Sequence, residues 1–190
     1  QLIAGPIVHH NEMLPQFEDQ GRQQNWASDI ATGLTIFILG LFKKAVLADG
    51  VSQYSTPLFD AALAGATPTF LEAWGGALAY TFQLYFDFSG YSDMALGIGL
   101  MFGIMLPINF FSPYRARNIT DFWRLWHITL SRFFRDYLYI PMSGQSRGIG
   151  RGFAAMMTTM LLGGLWHGAG WNFVIWGGLH GIYITLHRLW

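Results

Sequence analysis

No charge interrupts residues 30–42; Lys43 and Lys44 follow, and apolar residues resume until Asp49. Residues 1–28 differ, being polar and carrying Pro6, Pro15, Glu12, Glu18, Asp19 and Arg22, and they read as a loop outside the hydrocarbon. A helix needs about 20 mostly apolar residues to cross a bilayer, so residues 29–49 qualify if the two lysines snorkel or face protein. Residues 70–88 form a second span, with Glu72 at the start and Asp87 near the end. The uncharged stretch 94–114 holds Gly97, Gly99, Gly103 and Pro107, which predicts a close-packed helix that stops at Pro107.

Residues 115–151 hold seven of the eleven Lys and Arg residues, a bias that places this segment toward the cytoplasm. Within it, Asn118 or Thr120 caps a helix over residues 121–139 that Pro141 ends. On a 100° wheel Trp123, Trp126, His127, Leu130, Phe134 and Leu138 share one side, opposite Asp121, Arg132 and Arg135. His127 sits at the edge of the aromatic face beside Ser131 and Arg124. Such a helix lies in the interface, rings inward and arginines at phosphate level.

From residue 152 to 187 no Asp, Glu, Lys or Arg occurs, a run of 36 residues that is long for one span and short for two. Gly163-Gly164 and Gly168-x-Gly170 predict a break or sharp turn around His167. Irregular backbone at membrane depth is tolerated only where it is buried in protein or lines a wet cavity, so His167 is expected at a cavity. No internal repeat, low-complexity tract or linker divides the chain. The pattern predicts one all-α membrane domain over residues 1–190, a multi-pass helical bundle with interfacial and re-entrant helices: a polar loop over 1–28, then membrane and interfacial helices over 29–190.

Composition strengthens the membrane reading: 52% of residues are hydrophobic and 17% aromatic against 12% charged. Net charge is zero and the basic residues form no stripe, which argues against nucleic-acid partners. The absence of cysteine excludes a thiol nucleophile, disulfides and cysteine-ligated metals. The chain starts at Gln1, with neither an initiator methionine nor a basic n-region, and reads as a fragment incomplete at both ends.

The candidate chemistry centres on two Trp-His pairs, Trp126-His127 and Trp166-His167. An ionisable ring at membrane depth is costly and by default marks function. Apolar surroundings keep an imidazole neutral and able to accept a proton near pH 7, as a general base for a hydroxyl requires; the alternative for His167 is a core histidine bonded to a carbonyl. His127 reads equally as a structural ring or as a catalytic or substrate-orienting one. His180 and His187 share a face with Tyr183 and Ile184, a packing or hydrogen-bonding pattern, and His9 and His10 lie in the polar loop. Asp87 and Asp93 bracket a hydroxyl-rich turn, Ser89-Gly90-Tyr91-Ser92, after an apolar helix, where they either orient an acceptor or hydrogen-bond a helix end. Histidine spacing and the lack of nearby carboxylate ligands argue against a metal site. There is no G-x-S-x-G elbow or Walker loop, and Ser131 is a weak nucleophile candidate.

Several strings together resemble the membrane-bound O-acyltransferase (MBOAT) family. They are Gln1-Leu2-Ile3-Ala4-Gly5-Pro6-Ile7-Val8, Phe86-Asp87-Phe88-Ser89-Gly90-Tyr91-Ser92-Asp93, Asn109-Phe110 with Ser112-Pro113-Tyr114, Thr120-Asp121-Phe122-Trp123-Arg124 through Trp126-His127, Phe134-Arg135-Asp136-Tyr137-Leu138-Tyr139-Ile140-Pro141, and Gly163-Gly164-Leu165-Trp166-His167-Gly168. Within the family they are most similar to the branch of the bacterial alginate O-acetyltransferase membrane subunits. The resemblance covers nearly the whole chain. It implies a multi-pass fold around a tunnel that joins a cytoplasmic acyl donor to an acceptor on the far side of the bacterial inner membrane.

The same resemblance implies that His167 is the catalytic histidine and His127 the second polar residue of the site. Asp87, Ser89, Asp93, Asn109, Arg124, Trp126, Arg132, Arg135 and Trp166 are the substrate-binding candidates. The implied reaction moves an acetyl group from acetyl-CoA or another acyl thioester to hydroxyls of an exported, alginate-like polysaccharide, directly or through a periplasmic acetyl-transfer partner protein. No bound cofactor is expected. D-alanyl transfer or peptidoglycan O-acyl transfer by the same fold, and a non-catalytic acetyl transporter or relay, are the alternatives.

Overall fold

A computed structural model describes residues 5–18, 25–144 and 149–190. Residues 1–4 of the first motif string, Asp19, Arg22 and Arg147 lie outside the described residues. All regular structure among the described residues is helical, and contacts divide the chain into two compact units, Gln1–Ile108 and Asn109–Trp190.

In the first unit, α1 spans His10–Glu18, within the stretch expected to be a loop. Glu12 explains it: its carboxylate accepts from the His9 N–H at 3.4 Å, and its own N–H donates to the His9 carbonyl. Gln16 then ties the helix down, its amide bonding both the N–H and the carbonyl of Met105, at 2.7 and 3.1 Å. Helix α2 covers Trp26–Phe42, a π-helical stretch covers Lys43–Ala48, and α3 covers Asp49–Leu63. Together they form one helix, Trp26–Leu63, long and apolar enough to cross a membrane, the one such helix among the described residues. Trp26, Leu34, Ile38, Leu39 and Phe42 lie exposed along it, as side chains meant for lipid or a further protein surface would.

Helix α4 runs unbroken through Phe70–Met101. Thr69 and Glu72 start it with a reciprocal capping box. Two sequence expectations change here. The acidic, hydroxyl-rich segment 87–93 is helix rather than a turn, and the second and third apolar stretches share this helix. The helix also ends at Met101 instead of Pro107. Gly103, at φ 72°, adopts the left-handed conformation that closes a Schellman motif: Ile104 N–H reaches the Gly99 carbonyl and Gly103 N–H the Leu100 carbonyl, both at 2.8 Å.

Helices α2 and α4 meet backbone to backbone. A Cβ on Gly33 would stand 2.6 Å from the Gly97 carbonyl oxygen, and one on Gly40 would stand 2.7 Å from that of Gly90. Small residues a heptad apart on each helix allow this approach, the packing mode expected where burial from water cannot drive helices together.

The second unit holds a 3-10 turn at Pro113–Arg115, then α5 (Ile119–Leu125), α6 (Ile128–Phe134), a π-helical stretch (Arg135–Tyr139), α7 (Ile140–Ser143), α8 (Ile149–His167) and α9 (Trp171–Leu189). Asn118 caps α5 by accepting from the Asp121 N–H at 2.8 Å. The continuous helix expected over 121–139 is instead broken at Trp126-His127, and its single amphipathic wheel is lost. Pro141 sits at the start of α7 rather than ending the helix. The wide π turns just before it accommodate a residue that cannot donate its N–H.

Helix α8 stops at His167, where the Gly168-x-Gly170 punctuation predicts a break. Helices α8 and α9 pack as closely as α2 and α4: a Cβ on Gly164 would run into the Phe173 carbonyl oxygen, and one on Gly177 into that of Met160. Met156, Met160 and Ile184 form the buried core of this unit, with Ile119, Trp123 and Tyr139 against it.

Candidate active site

The break between α5 and α6 is made by Asn109. Its carbonyl accepts the Ile128 N–H at 2.9 Å, and Phe111 N–H bonds the Leu125 carbonyl at 3.0 Å, so an extended segment grips the chain on both sides of Trp126-His127. His127 takes φ 41°, a left-handed conformation that is uncommon for a residue with a Cβ, and its side chain is turned into the unit, 3% exposed.

Asn109 is itself 1% exposed, and its side-chain oxygen gathers three contacts. Thr129 approaches through its N–H at 3.3 Å and its hydroxyl at 2.9 Å, and His127 through Nδ1 at 3.0 Å. A backbone N–H only donates, so the atom facing Thr129 is the amide oxygen. Nδ1 of His127 must then carry the proton, and Nε2 carries the lone pair. Burial first, and the neighbouring His167 second, push the His127 imidazole down to about 4. His127 is thus a neutral base of fixed tautomer within electrostatic reach of His167.

His167 is the last residue of α8 and is open on one side. Its ring meets those of Trp166, with centroids 5.0 Å apart, and Trp176 of α9, at 5.3 Å and near-perpendicular. Trp166 also sets its edge on Phe134, and Trp126 stacks on Phe122 and stands edge-on to Phe110. His180 and His187 do not pair with each other. Trp123 Nε1–H donates to His180 Nδ1 at 3.2 Å, and Thr120 Oγ1 lies 2.9 Å from His187 Nδ1, so both histidines tie α9 to α5.

A cavity of about 610 Å³ opens in this unit. Arg124, Arg132, Arg135 and Arg188 rim it, and Met156, Met160 and Ile184 are among its apolar lining. Arg135 is paired with Asp136 at 2.7 and 3.2 Å, Arg124 leans on Asp121 at 3.4 Å, and Arg188 donates to the Tyr139 hydroxyl at 2.9 Å. Sequence reasoning names the first three arginines and misses Arg188, Tyr139 and Trp176. An apolar run ending in a lone arginine near a terminus gives no local sign of which cavity it faces.

The remaining candidates lie in the first unit. Asp93 pairs with Lys43, and Asp87 with Lys44 at 2.6 Å, so the lysines face protein rather than snorkel. Ser89 is buried, and its hydroxyl has no hydrogen-bond partner among the described residues. Among the described residues no three His, Asp or Glu side chains converge as metal ligands.

Across residues 1–190 the sequence matches the MBOAT, membrane-bound O-acyltransferase, family. It is 56% identical to a peptidoglycan O-acetyltransferase of Helicobacter pylori over 99% of this chain and 35% of that protein. A protein of Azotobacter vinelandii named probable alginate O-acetylase AlgI is 46% identical over 98% of this chain and 36% of its own length. A teichoic acid D-alanyltransferase of Streptococcus thermophilus is 29% identical over the whole chain and 48% of that protein. The chain spans little more than a third of the length of the first two relatives. With the Trp-His pairs and the match along its entire length, the chain belongs to the membrane-bound O-acyltransferase family.

Proposed function

We propose that this chain is the catalytic portion of a multi-pass bacterial inner-membrane O-acetyltransferase. It moves an acetyl group from a cytoplasmic thioester, acetyl-CoA or another, to hydroxyls of an exported polysaccharide, directly or through a periplasmic acetyl-transfer partner. The observation that carries the reading is a buried His127, held in one tautomer by Asn109, in the same unit as a His167 that ends α8 and is open on one side. His167 takes the proton of the acceptor hydroxyl as that oxygen attacks the thioester carbonyl; the C–S bond then breaks and the donor sulfur leaves as the thiol, taking the proton back from His167. His127 orients the thioester. A tunnel through the bundle excludes water and so suppresses hydrolysis of the donor.

The arginine-rimmed cavity suits a donor that joins phosphates to an apolar arm. Planar guanidinium groups bind phosphate in bidentate fashion, and the apolar lining of Met156, Met160 and Ile184 accepts the arm. Identities of 56% and 46% to proteins named for acetyl transfer, against 29% for one named for D-alanyl transfer, support acetyl as the group moved. Alginate-like polymers and the glycan of peptidoglycan are both acceptors of the required chemistry.

The test is transfer from radiolabelled acetyl-CoA into polymer or partner protein by membranes carrying the full-length parent. General-base help contributes about 10²- to 10⁴-fold, so His167→Ala at matched expression should lose at least about 10²-fold. Transfer near the wild-type level in that variant would overturn the assignment of His167.

A further inference from the structure

We propose that Trp176 is a positioning residue for His167, its indole holding the imidazole in the orientation from which it takes a proton; this rests on the reading of His167 as the base. His167 ends a helix beside Gly168, and among the described residues no hydrogen bond reaches its ring. A general base must stand within hydrogen-bond reach of the proton it removes, and an unanchored ring at a helix end turns about two side-chain bonds. Something other than a polar partner has to set its orientation.

Two rings do so, and they are not equivalent. Trp166 precedes His167 on the same helix and is 56% exposed, so it moves with the segment it would have to fix. Trp176 comes from the facing helix and is half-buried. Its ring lies 4.7 Å from that of His180 and 5.7 Å from that of Trp123. Those two rings are joined to each other by the Trp123 Nε1–H bond to His180 Nδ1. An indole N–H can only donate, so this bond holds His180 in the neutral form with its proton on Nε2. The result is a chain of contacts from α5 through α9 to the ring of His167. The contacts at Gly164 and Gly177 bring α8 and α9 close enough for the last link.

The experiment measures acetyl transfer by the full-length parent in membranes for Trp176→Leu, Trp176→Phe, His167→Ala and the His167→Ala/Trp176→Leu double variant, each at matched expression. A misplacement of about 1 Å can cost about 10²-fold in rate. Trp176→Leu should therefore lower kcat about tenfold or more and leave the donor KM within about twofold. Trp176→Phe keeps an aromatic wall and should lose about two- to fivefold in kcat; this milder variant carries the test if the leucine variant does not accumulate. Residues that act as a unit are non-additive, so Trp176→Leu should cost nothing further in the His167→Ala background.

Wild-type kcat in Trp176→Leu or, if that variant is absent, in Trp176→Phe would overturn the proposal. So would equal losses in the two variants, a loss confined to KM, or a multiplied loss in the double variant. An inactive His167→Ala beside a fully active Trp176→Leu removes this proposal alone. A fully active His167→Ala removes the assignment of the base and this proposal with it.

Discussion

Asn109 Oδ1 stands 3.0 Å from His127 Nδ1, and that contact decides which ring nitrogen of the histidine holds the lone pair. The same oxygen serves Thr129, so the residue that sets the tautomer also breaks the helix on which His127 would otherwise sit.

Replacing Asn109 should therefore affect the site in two separable ways. Asn109→Ala removes the acceptor from buried donors, which costs about 1–3 kcal/mol for each one left unsatisfied, and both heat stability in detergent and transfer rate should fall. Asn109→Asp keeps an acceptor but adds a negative charge that favours the imidazolium. The His127 pKa then rises from about 4 toward its ordinary value, and at any pH between the two a larger fraction is protonated. In the wild type His127 is mostly neutral well above its pKa of about 4, whereas in Asn109→Asp the acidic limb of the pH–rate profile should move to higher pH. Coincident limbs would mean that the ionisation of His127 does not bear on transfer.

The glycines between α8 and α9 give a structural test with an internal control. A methyl at Gly164 or Gly177 would enter a backbone carbonyl's van der Waals shell, so Gly164→Ala and Gly177→Ala should destabilise by about 1–3 kcal/mol through forced separation of the helices. At Gly178 the nearest neighbour of a Cβ would be the tip of Leu161 at 3.7 Å, an ordinary contact, and Gly178→Ala should be neutral or stabilising. Thermal inactivation of the full-length parent in detergent distinguishes the pair from the control. Equal stability of all three would mean that α8 and α9 stand further apart.

Arg132 and Arg135 rim the cavity proposed for the donor. Changing either to Gln should raise the donor KM about five- to tenfold and leave kcat within about twofold, because the lost contact is made equally in ground and transition states. The wild-type KM should also rise with salt, since exposed charges are screened beyond about 10 Å at 0.1 M. An unchanged KM in both variants would make these arginines membrane-surface anchors.

What the sequence discloses and what it hides follow from the range of the interactions concerned. The break after His167 is legible because glycine punctuation and a charge-free run are local signals, as is the apolar helix that begins near Ile30. The break at Trp126-His127 is not. Residues 121–139 keep a helical pattern throughout, and the partner that interrupts it, Asn109, lies outside any local window. Asp87 and Asp93 suggest a turn for the same reason, because the lysines that neutralise them belong to another helix. The stop at Gly103 is a local signal as well, but Pro107 a few residues on is an equally local one and predicts a later end. Trp176 is one more aromatic on an apolar helix until α8 and Trp123 are seen beside it.

The two lysine-aspartate pairs decide whether the acidic motif in α4 holds substrate or holds the unit together. Adjacent lysines on a regular α-helix point about 100° apart. Here they fall at the start of the π-helical stretch, and both reach α4, Lys43 to Asp93 and Lys44 to Asp87. If the pairs are structural, Asp93→Asn should lower heat stability in detergent, by about 1–2 kcal/mol for a half-buried charge left without its partner, and leave kcat within about twofold. The exchanged double variant Lys43→Asp/Asp93→Lys should recover part of that loss, a coupling that a double-mutant cycle reads directly. A variant of wild-type stability with transfer down by an order of magnitude would instead assign Asp93 to the acceptor.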